Sequence, residues 1–256
     1  MRYSLALILL LTLTACSTTN SSSSSASGEK ARMPDAMYDE AMTEMADRGY
    51  EKSAKILESL LSKYPYGPYA QQAQMELAYA YYKHSEPDAA LTAVDRFVKQ
   101  YPTSPHLDYV LYLKGVINFN SDLSMFSSWV NRDLADHDPQ SVQDSFDAFK
   151  ELVTRFPNSM YSPDARLRMQ YLANTLARHE LVVGRYYMRR GAYVAALNRA
   201  TAVINDFPRT PQTLEALALM VQAYDALGLT KLRDDTQRVL DLNTKAGNTT
   251  AQNTRP

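Results

Sequence analysis

Small and apolar residues return along this chain at spacings of three and four, in four segments that each close on an aromatic residue followed by proline: Tyr64-Pro65, Tyr101-Pro102, Phe156-Pro157 and Phe207-Pro208. Twelve positions before each proline stand Ser53, Ala90, Ser145 and Ala196. Eight before it are Leu57, Val94, Phe149 and Ala200, and five before it Leu60, Phe97, Leu152 and Val203. Offsets of this kind put each set on one stripe of an amphipathic helix. Proline lacks the N–H that a helix interior needs and restricts the residue before it, so each helix is expected to stop at the mark. Gly67-Pro68, Ser104-Pro105, Ser162-Pro163 and Thr210-Pro211 then read as restarts, a small or hydroxylated N-cap followed by proline at the first helical position. Eight of the twelve prolines thus serve one pattern, that of a helical repeat array.

The first pair is expected at 35–47 and 50–63, with Gly49 in the turn. The second runs over 68–82, turns at "KHSEPD" and resumes over 88–100. Pro65 to Pro102 spans 37 residues, close to the roughly 34 of a tetratricopeptide repeat. The next two intervals, 55 and 51 residues, read as the same pair with additions. In the third pair the excess is placed in a loop at 120–138, after which Asp138-Pro139 caps the second helix; in the fourth, near 177–190, it lengthens the helices. A fifth pair at 211–227 and 231–242 lacks the closing mark, as a terminal cap would, and 243–256 should fray. The expected fold is all-α, a right-handed superhelical array of about five tetratricopeptide-like helix pairs. Its N-terminal part, 34–158, carries repeats one to three, and its C-terminal part, 159–242, repeats four and five.

The N-terminus is of another kind. Arg2, an apolar run over 5–13 and the sequence Leu13-Thr14-Ala15-Cys16 form a signal over 1–15 resembling that of a bacterial lipoprotein, cut before Cys16. Cys16 would carry the S-diacylglycerol and N-acyl (palmitate) chains that anchor the protein, and Ser17, not being aspartate, implies the outer membrane. At about 0.8 kcal/mol per buried methylene, several acyl chains anchor firmly. Residues 16–33 then form the lipidated cysteine and a flexible Ser-rich tether. Cys16 is the only cysteine, so disulfides and thiolate metal sites are excluded beyond it. Formal charge is −1, which gives no global field toward nucleic acid. Everything after the lipid is expected in the periplasm.

No enzyme emerges from the motifs. His84, His106, His137 and His179 show no metal-ligand spacing and read as residues of solvated turns or helix faces. Asp133, Asp136 and Asp138 lack the glycine and terminal glutamate of a calcium loop. No phosphate loop or nucleophile elbow is present. Neither a metal nor a cofactor is expected beyond the covalent lipid.

Binding surfaces are better supported, beginning with the 18 tyrosines against seven phenylalanines. On the first helices of repeats two and three, Gln72, Met75, Tyr79 and Tyr82, then Tyr109, Tyr112, Val116 and Phe119, each make one face. These residues either pack between repeats or line a groove, and the two stripes together favour a peptide groove. A second surface is "GRYYMRRGAYVAALNRA", where Arg185, Arg189 and Arg190 interleave with Tyr186, Tyr187 and Tyr193, and Arg199 follows on the next helix. Such interleaving can bind single-stranded nucleic acid, which the compartment argues against. Arg and Tyr are also interface anchors, so the segment is either a solvated face or a docking site.

The lipobox, "YPYGPYAQQAQMELAYAYYK", "DRFVKQYPTSPHLDYVLYLKG", "DPQSVQDSFDAFKELVTRFPNSMYSPDA" and "YYMRRGAYVAALNRA", in this order, resemble the tetratricopeptide lipoprotein family of the outer-membrane β-barrel assembly machine. The likeness runs from Cys16 to about Leu242. The resemblance implies a non-enzymatic scaffold of five repeats, bound through its C-terminal half to the barrel-forming subunit, BamA, and to the smaller lipoproteins BamC and BamE. It implies that the N-terminal repeats recognise unfolded outer-membrane proteins. It also implies that "GAYVAALNRA", with Arg199 at the matching basic position, belongs to the barrel-subunit interface. Departures fall in the tether and in 120–138. A tetratricopeptide lipoprotein coordinating cell-wall synthesis or the Tol-Pal system would share the lipobox and the repeats.

Overall fold

A computed structural model describes residues 33–129 and 139–253, with side chains described outside 121–129 and 246–253. Ten helices make up the described chain: α1 (Pro34–Ala46), α2 (Tyr50–Lys63), α3 (Ala70–Lys83), α4 (Pro87–Gln100), α5 (Leu107–Trp129), α6 (Gln140–Arg155), α7 (Ser162–Arg189), α8 (Tyr193–Asp206), α9 (Gln212–Ala226) and α10 (Thr230–Asn253). No strand occurs among the described residues. Each helix packs on the next in sequence, and first helices also touch one another, α3 with α5 and α7 with α9. The result is a helical repeat array of five pairs.

The stripes set by the aromatic-proline marks are the spine of that array. All four residues at each of the three offsets, Ser53, Ala90, Ser145 and Ala196 with their partners eight and five before the proline, are 0% exposed. Small residues stand at the offset of twelve because the second helix of a pair meets the first there. Two of them bond across the crossing: Ser53 Oγ donates to Ala41 O at 2.9 Å and Ser145 Oγ to Gly115 O at 2.9 Å. Gly115 permits the approach of α5 to α6, since a Cβ on it would lie 2.4 Å from Phe149 Cε1.

The marks themselves are C-caps of one geometry. Tyr64, Tyr101, Phe156 and Phe207 have φ between −128° and −132° and ψ between 47° and 63°. Each donates its N–H to the carbonyl four residues back, at Leu60, Phe97, Leu152 and Val203. Its own carbonyl then accepts from the residue three further on, Gly67, Ser104, Ser159 and Thr210. The restarts therefore differ from expectation. Gly67, Ser104 and Thr210 sit in a turn ahead of the α-helix, and their counterpart in the fourth pair is Ser159, not Ser162, so Pro163 lies inside the first turn of α7. Ser104 and Ser159 do cap, each accepting at 3.2 Å from the N–H two residues on.

Turns within pairs share a second geometry. Arg48, Ser85, Gly191 and Gly228 all take left-handed φ, from +62° to +73°. The residue after each donates back to the carbonyl five before it, the Schellman arrangement that closes a helix. Gly49 is thus not the left-handed residue. Arg48 is, while Gly49 admits close contact, its added Cβ meeting Glu44 Oε2 at 2.9 Å.

Two additions also differ from the sequence reading. α5 continues to Trp129, so the first part of 120–138 is helix rather than loop; 130–138, with Asp133, Asp136, His137 and Asp138, lies outside the described residues. α10 runs to Asn253 instead of ending at Leu242, with no proline to stop it before Pro256. Near its end Asn243 Nδ2 and Thr244 Oγ1 bond the carbonyls one turn back, at 2.8 and 2.9 Å. The excess in the fourth pair is the 28-residue α7, helix as expected.

Candidate binding groove and docking surface

The two stripes proposed for a groove lie on α3 and α5. Only Gln72 is exposed; Met75, Tyr79, Tyr82, Tyr109, Tyr112, Val116 and Phe119 are half-buried and pack against the core that runs through the later repeats. Both alternatives are met in part, because tyrosine rings are wide enough to cover the core with one face and keep an edge outside. The rings then touch in sequence. Tyr79 and Tyr82 are 6.4 Å apart, and Asn120 Nδ2 donates to the Tyr82 hydroxyl.

Further along, Tyr112 stacks on Tyr161 at 4.9 Å, and Tyr109 meets the same ring at 5.7 Å. Tyr112 Oη donates to Asp164 Oδ2 at 2.8 Å, and Arg168 Nε donates to that oxygen at 2.6 Å. Arg168 also lies 4.8 Å over Phe119, whose edge meets Tyr171 at 6.0 Å. Burial pushes the Tyr109 phenol up, helped by the charge of Glu76. Burial likewise raises Tyr112, with its bond to Asp164 adding to the effect. Burial alone would raise Asp164, but the hydrogen bonds from Arg168 and Tyr112 and the Arg168 charge hold it below the ordinary carboxylate range. An ordered aromatic face with embedded ionic groups thus spans α3, α5 and the start of α7. It offers stacking surfaces and hydrogen-bonding ends, not a nucleophile with its base.

Sequence reasoning missed Tyr38, Tyr69, Glu76, Tyr161, Asp164, Arg168 and Tyr171, which complete this face. One signal was available for two of them. Tyr69 and Tyr161 both stand four residues beyond a mark, at Pro65 and Pro157.

The second surface is built around Gly184, buried on α7. A Cβ there would meet Leu219 Cδ2 at 2.8 Å and Arg199 Cβ at 3.5 Å, so α7, α8 and α9 converge on it. Arg185 pairs with Glu215 of α9, and Arg199 Nη1 reaches Glu180 Oε2 of α7 at 3.2 Å. Arg185 and Arg199 thus flank the crossing of α7 with α8 and α9, each partly neutralised by a glutamate from a neighbouring helix. Arg189 and Arg190 are exposed at the end of α7, with Arg190 5.7 Å over Tyr186; Tyr193 is half-buried at the start of α8. Cys16 lies outside the described residues, and no described helix is long and apolar enough to cross a membrane.

Comparison with known proteins follows the same extent of chain. The family model described as YfiO, outer membrane lipoprotein, matches residues 30–240. Outer membrane protein assembly factor BamD of Neisseria meningitidis serogroup B is 44% identical over 207 residues, covering 81% of this chain and 78% of that protein. The protein of the same name from Vibrio cholerae is 36% identical over 210 residues, covering 82% and 87%. Among solved structures, a crystal structure of MamA matches over 87% of this chain and 96% of its own, with a TM-score of 0.36 and 16% identity. By the reach of the family model and the identity of these relatives, the chain belongs to the YfiO family of outer membrane lipoproteins, the family of BamD.

Proposed function

We propose that the chain is a non-enzymatic scaffold of the outer-membrane β-barrel assembly machine, held to the periplasmic face of the outer membrane by acyl chains on Cys16. Its first-helix face binds extended segments of unfolded outer-membrane proteins through Met75, Tyr79, Tyr82, Tyr109 and Tyr112, with Gln72 at the exposed rim. Its second surface, with Arg185, Arg189, Arg190, Tyr193 and Arg199, docks the barrel-forming subunit BamA, and the C-terminal repeats also receive BamC and BamE. The observation that carries this reading is the continuous aromatic face across α3, α5 and α7, in a chain whose relatives are named assembly factors. Holding a segment beside the barrel subunit raises its effective concentration without a chemical step.

Tyr79→Ala with Tyr82→Ala tests the groove. Binding of a labelled C-terminal peptide of an outer-membrane protein should weaken about tenfold or more, two aromatic contacts being removed, while helicity by circular dichroism is retained. Unchanged affinity removes the groove from the proposal. For docking, Arg199→Glu sets two carboxylates together at Glu180 and Arg199→Gln merely frees Glu180. Both should reduce co-purification with the periplasmic domains of BamA, and undiminished pull-down with both refutes that site.

A further inference from the structure

Glu76 stands one helical turn before Tyr79 on α3. It is half-buried, and its carboxylate makes no hydrogen bond or ion pair with any described residue. Burial holds its carboxyl above the ordinary range. Its negative charge is felt at two phenols, Tyr38 from α1 and Tyr109 from α5, both raised in part by it. Tyr79 acts on the Tyr109 phenol as well, and Tyr38 is braced by stacking on Tyr69 at 5.2 Å. Glu76 shares its face of α3 with Tyr79 and with Tyr69, seven residues before it, on which Tyr38 of α1 stacks, and Tyr109 of α5 packs on the same core as Tyr79, so one carboxylate stands among aromatic rings from three first helices.

An uncompensated, half-desolvated carboxylate is unfavourable, and its natural complement is a cation arriving from outside. Ring faces attract the same ligand, since ammonium and guanidinium groups bind over tyrosine more strongly as water is excluded. A divalent ion fits poorly, because hard cations take six or more oxygens and no cluster of three candidate ligands exists among the described residues. The site opens on the face already assigned to an extended polypeptide, so the cation that fits is a side chain. We propose that Glu76, with Tyr38, Tyr79 and Tyr109, forms a subsite for one lysine or arginine of the polypeptide bound along the first-helix face. The subsite rests on the groove reading above and adds a charge preference to it.

The test uses the full-length protein and fluorescein-labelled ten-residue peptides of alternating Tyr and Thr. One Lys is scanned through the sequence, and each Lys peptide has a counterpart with Gln at that position. At the best position the Lys peptide should bind about tenfold tighter than its Gln counterpart. Glu76→Gln, close to isosteric, should bring the two within twofold by loss of affinity for the Lys peptide. A Lys preference that survives Glu76→Gln, or none at any position in the unmodified protein, overturns the subsite while the groove stands. Failure of every peptide to bind the unmodified protein overturns the groove and the subsite with it.

Discussion

Gly115→Ala is the sharpest test of how the pairs are closed. The added Cβ would lie 2.4, 2.6 and 2.7 Å from three ring carbons of Phe149, where carbon atoms pack at about 3.5–4 Å. The ring has nowhere to go. Phe149 is 0% exposed, and the Tyr112 ring sits against it at 6.0 Å. Overpacking of this kind is destabilising by about 1–3 kcal/mol, and three simultaneous ring contacts argue for the upper end. Alanine in a helix returns about 1 kcal/mol relative to glycine, so the net loss is about 2 kcal/mol. For a chain of this size that lowers Tm by about 4–8 °C in thermal unfolding followed by circular dichroism. Phe149→Leu should relieve the clash: costing about 1–2 kcal/mol alone, it should add little in the Gly115→Ala background, a coupling of at least about 1 kcal/mol. Because Phe149 supports Tyr112, the single variant should also weaken peptide binding. A Gly115→Ala protein as stable as the parent, or strictly additive costs in the cycle, would refute the close crossing of α5 and α6.

At Gly191 and Gly228 an added Cβ meets nothing within 4 Å, so Gly→Ala there should cost about 1 kcal/mol each from the left-handed backbone alone, read from urea midpoints. Arg48→Gly and Ser85→Gly, at the matching positions, should show the opposite sign by about 0.5–1 kcal/mol. Asp164 is depressed, so its contribution is present above its unfolded value and lost as pH falls through the lower folded value. Asp164→Asn should therefore lose about 0.5 kcal/mol at neutral pH, small because the pair is partly exposed, with the difference closing in acid. Glu76 is raised, so its contribution is present below its unfolded value and lost as pH rises through the higher folded value. Glu76→Gln should accordingly be the more stable protein at neutral pH, and its stability curve should meet the parent's on acidification.

The fold was legible because its punctuation is written in local chemistry. An aromatic residue before proline stops a helix by excluded backbone geometry, and the positions five, eight and twelve before it follow from helix period, so Phe97 and Leu152 are identifiable as core without a structure. The left-handed turn was less legible. Ser85 and Arg48 take the conformation that glycine takes at 191 and 228, because the Schellman bonds, rather than residue type, hold the chain there. The proposed groove was half legible. Tyr79, Tyr82, Tyr109 and Tyr112 share helix faces, which spacing reveals. Tyr38, Tyr161 and Asp164 reach the same surface from other segments, and that convergence is set by how pairs stack. The Gly184 site shows the same limit, since Glu180 is near Arg199 in space through the crossing of α7 and α8.

Touching first helices have a metric consequence for any strand laid across them. Packed helix axes lie about 8–10 Å apart, whereas an extended chain advances about 3.3 Å per residue, so one aromatic row follows another every three residues or so. Side chains of a strand alternate with a period of two. Neighbouring rows would then meet opposite sides of the strand, and every second row the same side, about six residues on. The array would act as a vernier, reading an alternating polypeptide at a long stride and remaining indifferent to most of the residues between.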